Sequence, residues 1–297
     1  MGALSATAGV AAVLRRKRSA GLDLRDLTGK TAVVTGAGSG IGRSLATLLG
    51  RRGAFVHVAD LDGASAAAVT QQVRAAGGQA LAHTVDVSDA EAVARLAEDV
   101  FQRGPVDLLF NNAGIGHAGD VADTPLADWR RLIDVNLMGV VHGLHAFLPR
   151  MLAQDRAARI VNTASMAGFV PVPGLAAYSA TKAAVVGLSD ALDMELAGTQ
   201  VRVSALCPGV IDTAIVSTST LRGAWAGRQA RAVDLYAKRG TSPDIVAKQA
   251  LAGAARGRTV IATPRYQVVP HWLLKRMLPP AGRAVSLAIL RFASKEG

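Results

Sequence analysis

Short apolar runs rich in valine and other small residues recur along the chain, and longer stretches of helical character separate them. The run Thr31–Thr35 predicts a buried strand, and Ile41–Arg52, directly after it, predicts a helix. The same alternation continues almost to the end of the sequence. Strands are predicted at 31–35, 54–59, 79–85, 107–110, 159–163, 201–206 and 258–262, and helices at 41–52, 64–76, 89–103, 127–152, 177–196 and from 242 onward.

Strands that alternate with helices of ten to twenty residues are typical of right-handed βαβ units. The pattern therefore predicts an α/β fold, in which a doubly wound parallel sheet of about seven strands has helices on both faces. No linker divides residues 28–264, so they are predicted to form a single domain with a loop-and-helix lid at 211–240. A basic extension is expected at 1–27 and an apolar, basic tail at 265–297, where Pro270, Pro279 and Pro280 are expected to prevent one long helix.

The net charge of +11 is unevenly placed, and this narrows the range of partners. Residues 1–30 carry six basic and two acidic side chains, and residues 265–297 carry six basic and one acidic. A nucleic-acid-binding protein would carry a basic stripe on its folded domain and a recognisable motif, so no nucleic-acid partner is expected. The basic ends instead allow peripheral contact with a membrane. The plainer alternatives are a partly disordered extension, and a tail that packs over the substrate pocket or a subunit partner.

Cys207 is the only cysteine, so an intrachain disulfide is excluded and a reducing, cytoplasmic compartment is expected. No apolar run reaches the roughly 18 residues of a membrane span. His142 and His145 lie close together without an obvious third ligand, so no metal site is expected.

Alternating glycines join the first predicted strand to the first helix in the stretch Thr35-Gly-Ala-Gly-Ser-Gly-Ile-Gly42. Glycine lets the backbone turn tightly, and a helix N-terminus offers N–H groups and a positive dipole end to a pyrophosphate. Asp60 ends the second strand about 20 residues later, where a carboxylate can bind a ribose 2′-OH and repel a 2′-phosphate. This pair of features predicts NAD rather than NADP, against the competing signal of Arg43.

Tyr178 and Lys182 lie one turn apart on a predicted helix, and Ser165 precedes Tyr178 by thirteen residues. An ammonium beside a phenol favours the phenolate and lowers its pKa from about 10. The tyrosine could then exchange a proton near pH 7. By itself, however, the spacing Tyr-x-x-x-Lys is common on ordinary helix surfaces.

Together and in this order, the motifs resemble the short-chain dehydrogenase/reductase family over roughly residues 28–264. They are Thr35-Gly36…Gly40-Ile41-Gly42, Asp60, Asp86-Val87, Asn111–Gly114, Asn136, Ser165, Tyr178…Lys182 and Pro208-Gly209…Thr213. The resemblance implies a Rossmann-type fold, an NAD(P)-dependent oxidoreductase and a homodimer or homotetramer. The cofactor-binding residues that it implies are Gly36, Ser39, Gly40, Ile41, Gly42, Asp60, Asp86, Val87, Asn112, Ala113, Gly114, Tyr178, Lys182, Pro208, Gly209, Val210 and Thr213.

The resemblance also implies roles for four catalytic residues. Tyr178 would be the general acid in carbonyl reduction and the general base in alcohol oxidation. Lys182 would lower the pKa of Tyr178 and bind the nicotinamide ribose, while Ser165 would orient the reacting oxygen of the substrate. Asn136 would position a water in a proton relay from Lys182 to solvent.

Three segments are predicted to reach the substrate, namely 115–119, 166–175 and 214–240. They are mostly apolar, which predicts a hydrophobic secondary alcohol or ketone, steroid-like or lipid-like, unless these residues merely pack the lid. One alternative is NADPH-dependent reduction of a ketone on a thioester-carried acyl chain, since the lid arginines could meet an anionic carrier. Another is a non-catalytic NAD-binding scaffold.

Overall fold

A computed structural model describes residues 22–295, in which strands and helices alternate much as the apolar pattern predicts. The strands are β1 Thr31–Thr35, β2 Phe55–Asp60, β3 Gln79–Thr84, β4 Leu108–Asn111, β5 His117–Ala118, β6 Ala158–Thr163, β7 Val201–Pro208, β8 Thr220–Leu221 and β9 Val260–Thr263. The helices are α1 Gly40–Arg51, α2 Gly63–Ala75, α3 Ala90–Gln102, α4 Leu126–Ile133, α5 Gly139–Ala153, α6 Ala176–Glu195, α7 Gln229–Arg239, α8 Pro243–Ala255, α9 Arg265–Met277 and α10 Pro279–Lys295.

Seven parallel strands form the main sheet in the order β3-β2-β1-β4-β6-β7-β9. The predicted fold class, a doubly wound Rossmann-type sheet in one domain, is confirmed. Strand order reverses between β1 and β4, and ligands of such sheets bind beyond the carboxyl ends of the strands at this point. The glycine turn after β1 and the segment Asn112–Gly114 after β4 both lie there. A separate two-stranded sheet pairs β5 with β8.

Alternate residues of each strand point to opposite faces of the sheet, and helices cover both faces, so the sheet is buried on both sides. Val34 packs in one apolar layer with Leu49 and Leu251, whereas Val33 packs in the other layer with Phe147. All five side chains are buried. Each such side chain stabilises the fold by about 2 kcal/mol through the hydrophobic effect. The two layers hold the strand ends, and therefore the loops that follow them, in fixed positions.

The helix predicted at 127–152 is continuous from Leu126 to Ala153, but it contains a π-helical turn at Asp134–Met138. Contrary to the sequence-based expectation, this segment is long and apolar enough to cross a membrane by length and composition. Val140, Phe147 and Met151 are nevertheless buried in an apolar layer of the domain, as in the core helix of a globular protein.

Both ends of the described chain pack onto the domain. Leu22, Leu24 and Leu27, which the sequence assigns to the extension at 1–27, are buried in the first apolar layer; the remainder of that extension lies outside the described residues. At the other end, the tail divides into helices α9 and α10 just before Pro279, so the prediction of no single long helix is confirmed. Pro270, however, lies inside the 13-residue helix α9 and does not break it. The carbonyl of Tyr266, which loses its helical partner at Pro270, lies on an exposed residue where water can reach it.

Candidate active site

The glycine turn after β1 has a backbone that other residues could not adopt without clashes. Gly36 and Gly40 have positive φ angles of 61° and 49°. A Cβ on Gly36 would lie 2.7 Å from the Cα of Ala113, and one on Gly42 would lie 2.0 Å from the carbonyl oxygen of Gly36. The turn therefore presses directly against the end of β4 and presents the N-terminus of α1. The first turn of α1 contains no acidic residue in the sequence, so its N–H groups can receive an anion.

Thr35 and Asn112 fasten the ends of β1 and β4 to each other. The Thr35 hydroxyl accepts hydrogen bonds from the N–H groups of Asn112 at 3.0 Å and Ala113 at 3.1 Å. The Asn112 side chain donates to the Thr35 carbonyl at 3.0 Å and accepts from the Thr163 hydroxyl at 3.3 Å. Asn112 thus shapes the predicted cofactor segment with its side chain. The role of Thr163 was not predicted from the sequence, because no local signal connects Thr163 to Asn112.

Asp60 is held rigidly beside the glycine turn. One carboxylate oxygen accepts from the Gly38 N–H at 2.7 Å, and the other accepts from the Asp62 N–H at 3.0 Å. The carboxylates of Asp60 and Asp62 line a large cavity described below, whereas Arg43 is exposed and lies outside the lining of that cavity. The surroundings of the carboxylate are therefore negative, which suits a ribose hydroxyl and opposes a 2′-phosphate.

Asp86 also lines the cavity, but its carboxylate has a structural task as well. It accepts hydrogen bonds from the backbone N–H of Ser88 at 2.9 Å and from the Ser88 hydroxyl at 2.6 Å. This turn is the role that an isolated aspartate would have by default. Val87 follows it, and its carbonyl oxygen lies 2.9 Å from Nδ1 of His142.

A single continuous cavity of about 2420 Å³ joins these elements to the predicted catalytic residues. Ser165, Tyr178 and Lys182 line it, and so does every predicted cofactor-binding residue except Gly42, which is buried beneath the glycine turn. Asn136 also lies behind the cavity wall. The cavity runs from Asp60 at one end to the lid, residues 211–240, at the other.

Ser165, Tyr178 and Lys182 converge at the carboxyl ends of β6 and β7. Ser165 starts the short turn Met166–Gly168, and its hydroxyl oxygen accepts from the Ala167 N–H at 3.1 Å. Lys182 is buried, donates to the Thr163 carbonyl at 3.0 Å, and places its Nζ 5.8 Å from the centre of the Tyr178 ring. The three side chains therefore lie close together at one place in the cavity wall.

Burial dominates the proton affinities of this group. It raises the pKa of Tyr178 to about 12, and a hydrogen bond with Ser165 opposes the rise. Burial also lowers the pKa of Lys182 to about 8. Burial thus outweighs the opposing hydrogen bond with Ser165. The lowering of the pKa of Tyr178 by Lys182 stays a prediction. Tyr178 is protonated at neutral pH, which suits a proton donor.

Asn136 lies at the centre of the π-helical turn and is fully buried. Its amide donates to the Ile115 carbonyl at 3.0 Å and accepts from the Ile115 N–H at 2.8 Å. A Cβ on Gly114 would lie 3.0 Å from Oδ1 of Asn136 and 3.2 Å from Nζ of Lys182. Asn136 therefore fixes the loop after β4 close to Lys182. Its predicted relay water stays a prediction.

The walls at the lid end of the cavity are mainly apolar. They include Val170, Val172 and Leu175 from the predicted segment 166–175, but Phe169 packs instead on Trp272, with ring centres 5.3 Å apart. Helices α9 and α10 provide a further wall, in line with the alternative that the tail packs over the substrate pocket. Its members include Tyr266, Gln267, His271, Val285 and Ala288.

Comparison with known proteins agrees with this arrangement. The family model for short chain dehydrogenase matches residues 30–222, so the chain belongs to the short-chain dehydrogenase/reductase family. It is 39% identical over 270 residues to the probable oxidoreductase EphD of Mycobacterium tuberculosis, covering 88% of this chain and 45% of EphD. The chain thus spans about half the length of that relative. It is also 42% identical over 210 residues to 1-deoxy-11-beta-hydroxypentalenate dehydrogenase of Streptomyces exfoliatus, covering 69% and 76% of the two chains.

Solved structures of the family contain both nicotinamide cofactors. A short-chain dehydrogenase/reductase from Burkholderia phymatum in complex with NAD superposes with a TM-score of 0.80 at 34% identity, covering 85% of this chain and 94% of its own. A metagenomic short-chain oxidoreductase in complex with NADP has a TM-score of 0.65 at 34% identity, covering 80% and 98%. The cavity residues described above fit a nicotinamide dinucleotide, because the glycine turn offers N–H groups to its phosphates and Asp60 an acceptor to its ribose.

Proposed function

We propose that this chain catalyses the NAD-dependent interconversion of a hydrophobic secondary alcohol and its ketone. The observation that carries the proposal is the convergence of Ser165, Tyr178 and Lys182 on the cavity that Asp60 and the glycine turn line at its other end. The Asp60 end of the cavity has the groups that suit a dinucleotide. Ser165, Tyr178 and Lys182 lie between that end and the apolar wall at the lid end.

The protein residues would supply the proton and the orientation for this reaction. A bound nicotinamide cofactor would supply the hydride as NADH in reduction, or accept it as NAD in oxidation. Tyr178 donates its proton to the carbonyl oxygen in reduction and recovers it in oxidation, and Ser165 donates a hydrogen bond to the same oxygen. Lys182 brings a positive charge close to the phenol, and the Thr163 carbonyl holds its ammonium in place.

The choice of NAD rests on Asp60, which is fixed at two oxygens and lies beside Asp62. A 2′-phosphate would have to approach both carboxylates, while Arg43 lies outside the cavity lining. The choice of a hydrophobic alcohol rests on the apolar walls, and the pentalenate dehydrogenase relative, by its name, oxidises a hydroxyl-bearing compound.

The test is a panel of steroid, lipid and simple secondary alcohols, followed by nicotinamide absorbance with NAD and, separately, with NADP. Activity with a hydrophobic alcohol and NAD is expected. In the variant Tyr178→Phe, we expect turnover to fall by about 10³-fold while NAD binding persists, because the proton donor alone is lost. Undiminished turnover in this variant would remove Tyr178 from the mechanism.

A second candidate is reduction of a ketone on a thioester-carried acyl chain with NADPH. Arg228 and Arg231 of the lid line the cavity and could meet the phosphates of such a carrier. Comparing a coenzyme A thioester with its free ketone, each with both cofactors, separates the two candidates. A chain that binds NAD but turns over nothing in either panel would instead be a cofactor-binding scaffold.

We also propose a cytoplasmic homodimer or homotetramer that contacts membranes peripherally. Support for the contact comes from Leu273, Met277 and Leu278, which expose 46%, 74% and 59% of their surface beside Lys275 and Arg276. Recovery of the whole protein in the soluble fraction at low salt would count against it.

A further inference from the structure

We propose that helix α9 is a clamp, in which Gln267 positions the cofactor-binding segment after β7 and Lys275 positions the turn that Ser165 begins. The proposal rests on the function proposed above, since it assigns the two segments to cofactor and substrate. Both residues lie outside the part of the chain, 30–222, that the family model matches.

Gln267 makes direct contact with the segment Pro208–Val210. Its side-chain oxygen accepts a hydrogen bond from the Val210 N–H at 2.9 Å, and its side-chain nitrogen donates to the Thr241 hydroxyl at 3.4 Å. A Cβ on Gly209 would lie 2.4 Å from the same Gln267 oxygen, so the side chain rests on a backbone that only glycine leaves open. Gln267 and all three residues of the segment line the cavity. Two backbone hydrogen bonds, from the Gly209 N–H to Thr263 at 2.9 Å and from the Thr241 N–H to Val210 at 3.0 Å, also hold this segment. The amide of Gln267 adds the contact on the Val210 N–H.

Lys275 makes the corresponding contact on the substrate side. Its ammonium donates to the Phe169 carbonyl at 2.8 Å, and the ring of Phe169 packs on Trp272. Phe169 ends the turn that begins at Ser165, and its N–H donates to the Met166 carbonyl at 2.9 Å. A charged donor makes a stronger hydrogen bond to a carbonyl than a neutral one. Lys275 thus fixes the far end of the turn that carries the Ser165 hydroxyl.

One rigid helix joins the two contacts. Gln267 and Lys275 are eight residues apart on α9, a separation of about 12 Å. Helix α10 crosses α9 so closely that a Cβ on Gly282 would lie 2.5 Å from the Cα of Lys275. Helix α9 therefore helps to set the distance between the cofactor segment and the Ser165 turn, although it lies far from both in sequence.

The test separates the two contacts in the full-length chain. Gln267→Met keeps the length of the side chain but removes its hydrogen bonds, and Gln267→Glu keeps an acceptor for Val210. Lys275→Met removes the ammonium, and Arg276→Met, on the exposed neighbour, is its matched control for charge. The readouts are NAD affinity by calorimetry, amide hydrogen exchange of residues 209–212, the KM of the alcohol, and the unfolding midpoint.

For Gln267→Met we expect NAD affinity to fall about fivefold and the Val210 amide to exchange faster, with the alcohol KM nearly unchanged. Gln267→Glu should restore the slow exchange. For Lys275→Met we expect the alcohol KM to rise about fivefold with NAD affinity unchanged, and Arg276→Met should match the wild type in both.

Two results would overturn the clamp. One is a Gln267→Met variant with wild-type NAD affinity and Val210 exchange. The other is that Gln267→Met and Lys275→Met each change the NAD affinity and the alcohol KM equally and also lower the unfolding midpoint. A helix with a purely structural role would give that result. If the wild-type chain itself binds no NAD, the proposed function fails and the clamp with it, so the two failures are distinguishable.

Discussion

The two ends of the cavity are built in different ways. At the Asp60 end, backbone and short side chains make the contacts, as where Gly36, Asp60 and Asn112 bind neighbouring N–H and carbonyl groups. At the lid end, long side chains from distant segments make them, as in the pair Arg222–Asp128 and the pair Lys275–Phe169. Rigid backbone contacts suit a cofactor of fixed shape, whereas the lid end can change its side chains without disturbing the sheet.

The largest effect is expected at the buried charge of Lys182, which lies between the two ends of the cavity. Because burial lowers the pKa of Lys182 from 10.5 to about 8, the folded chain binds fewer protons than the unfolded chain between these values. The free energy of unfolding should therefore rise with pH in this window and be lost again as the pH falls through about 8. Relative to Lys182→Met, we expect a rise of about 2 kcal/mol between about pH 7.5 and about pH 10.

Urea unfolding of both proteins at the two pH values measures this effect. The ionisation of Tyr178 acts in the opposite direction at higher pH, because its raised pKa gives stability that is lost as the pH rises through about 12. Parallel stability curves for wild type and Lys182→Met would show that Lys182 is not desolvated as the structure has it.

A glycine substitution at each end gives the next largest contrast. Gly42→Ala brings a Cβ to 2.0 Å from the Gly36 carbonyl, whereas a Cβ on Gly227 of the lid has nothing within 4 Å. We expect Gly42→Ala to lose about 2 kcal/mol of stability and to weaken NAD binding, and Gly227→Ala to behave as the wild type. Thermal unfolding and NAD titration would check both. Equal effects at the two positions would contradict the comparison.

Removing the charge of Asp60 should alter cofactor choice without altering the fold. Asp60→Asn keeps an oxygen for the Gly38 N–H and no longer repels a 2′-phosphate. It loses the acceptor for the Asp62 N–H, which water can replace because Asp62 is exposed. We expect the ratio of NAD to NADP affinity to fall by about tenfold, with an unchanged unfolding midpoint. A ratio that stays constant would mean that the second carboxylate, Asp62, governs the choice.

The smallest effect is expected at the ion pair that joins the lid to α4. The Arg222 guanidinium donates to both Asp128 oxygens, at 2.7 and 3.2 Å, and Nε2 of His117 lies 3.5 Å from the same carboxylate. Because Arg222 is exposed, Arg222→Met should leave the unfolding midpoint unchanged and alter the alcohol KM by about twofold at most. A large loss of stability would show that the lid is as tightly built as the Asp60 end.

The sheet and most of the cofactor end could be predicted because their signals are local. Strands such as Thr31–Thr35 are continuous apolar runs, and the glycine spacing from Gly36 to Gly42 is readable in the sequence. The resemblance then supplied Ser165, Tyr178 and Lys182, which the structure brings together at one cavity.

The remaining features depend on contacts between distant positions. Gln267 forms a hydrogen bond with a residue 57 positions away, and Lys275 forms one with a residue 106 positions away. The sequence around these residues contains no signal that predicts either contact. The tolerance of Pro270 depends on which side of α9 meets water. The pKa of Tyr178 likewise depends on distant residues, because burial by the folded chain outweighs the hydrogen bond with Ser165.

The π-helical turn at Asp134–Met138 has a consequence for how the family can vary by insertion and deletion. Such a turn holds one residue more than an α-helix would, and each residue of a helix rotates the chain by about 100°. A deletion of one residue here would restore a regular helix and turn the Asn136 amide away from Ile115, while Val140 and Phe147 beyond the turn would keep facing the sheet. The extra residue thus sets the direction of a side chain at the reaction centre without changing which face of the core helix meets the sheet.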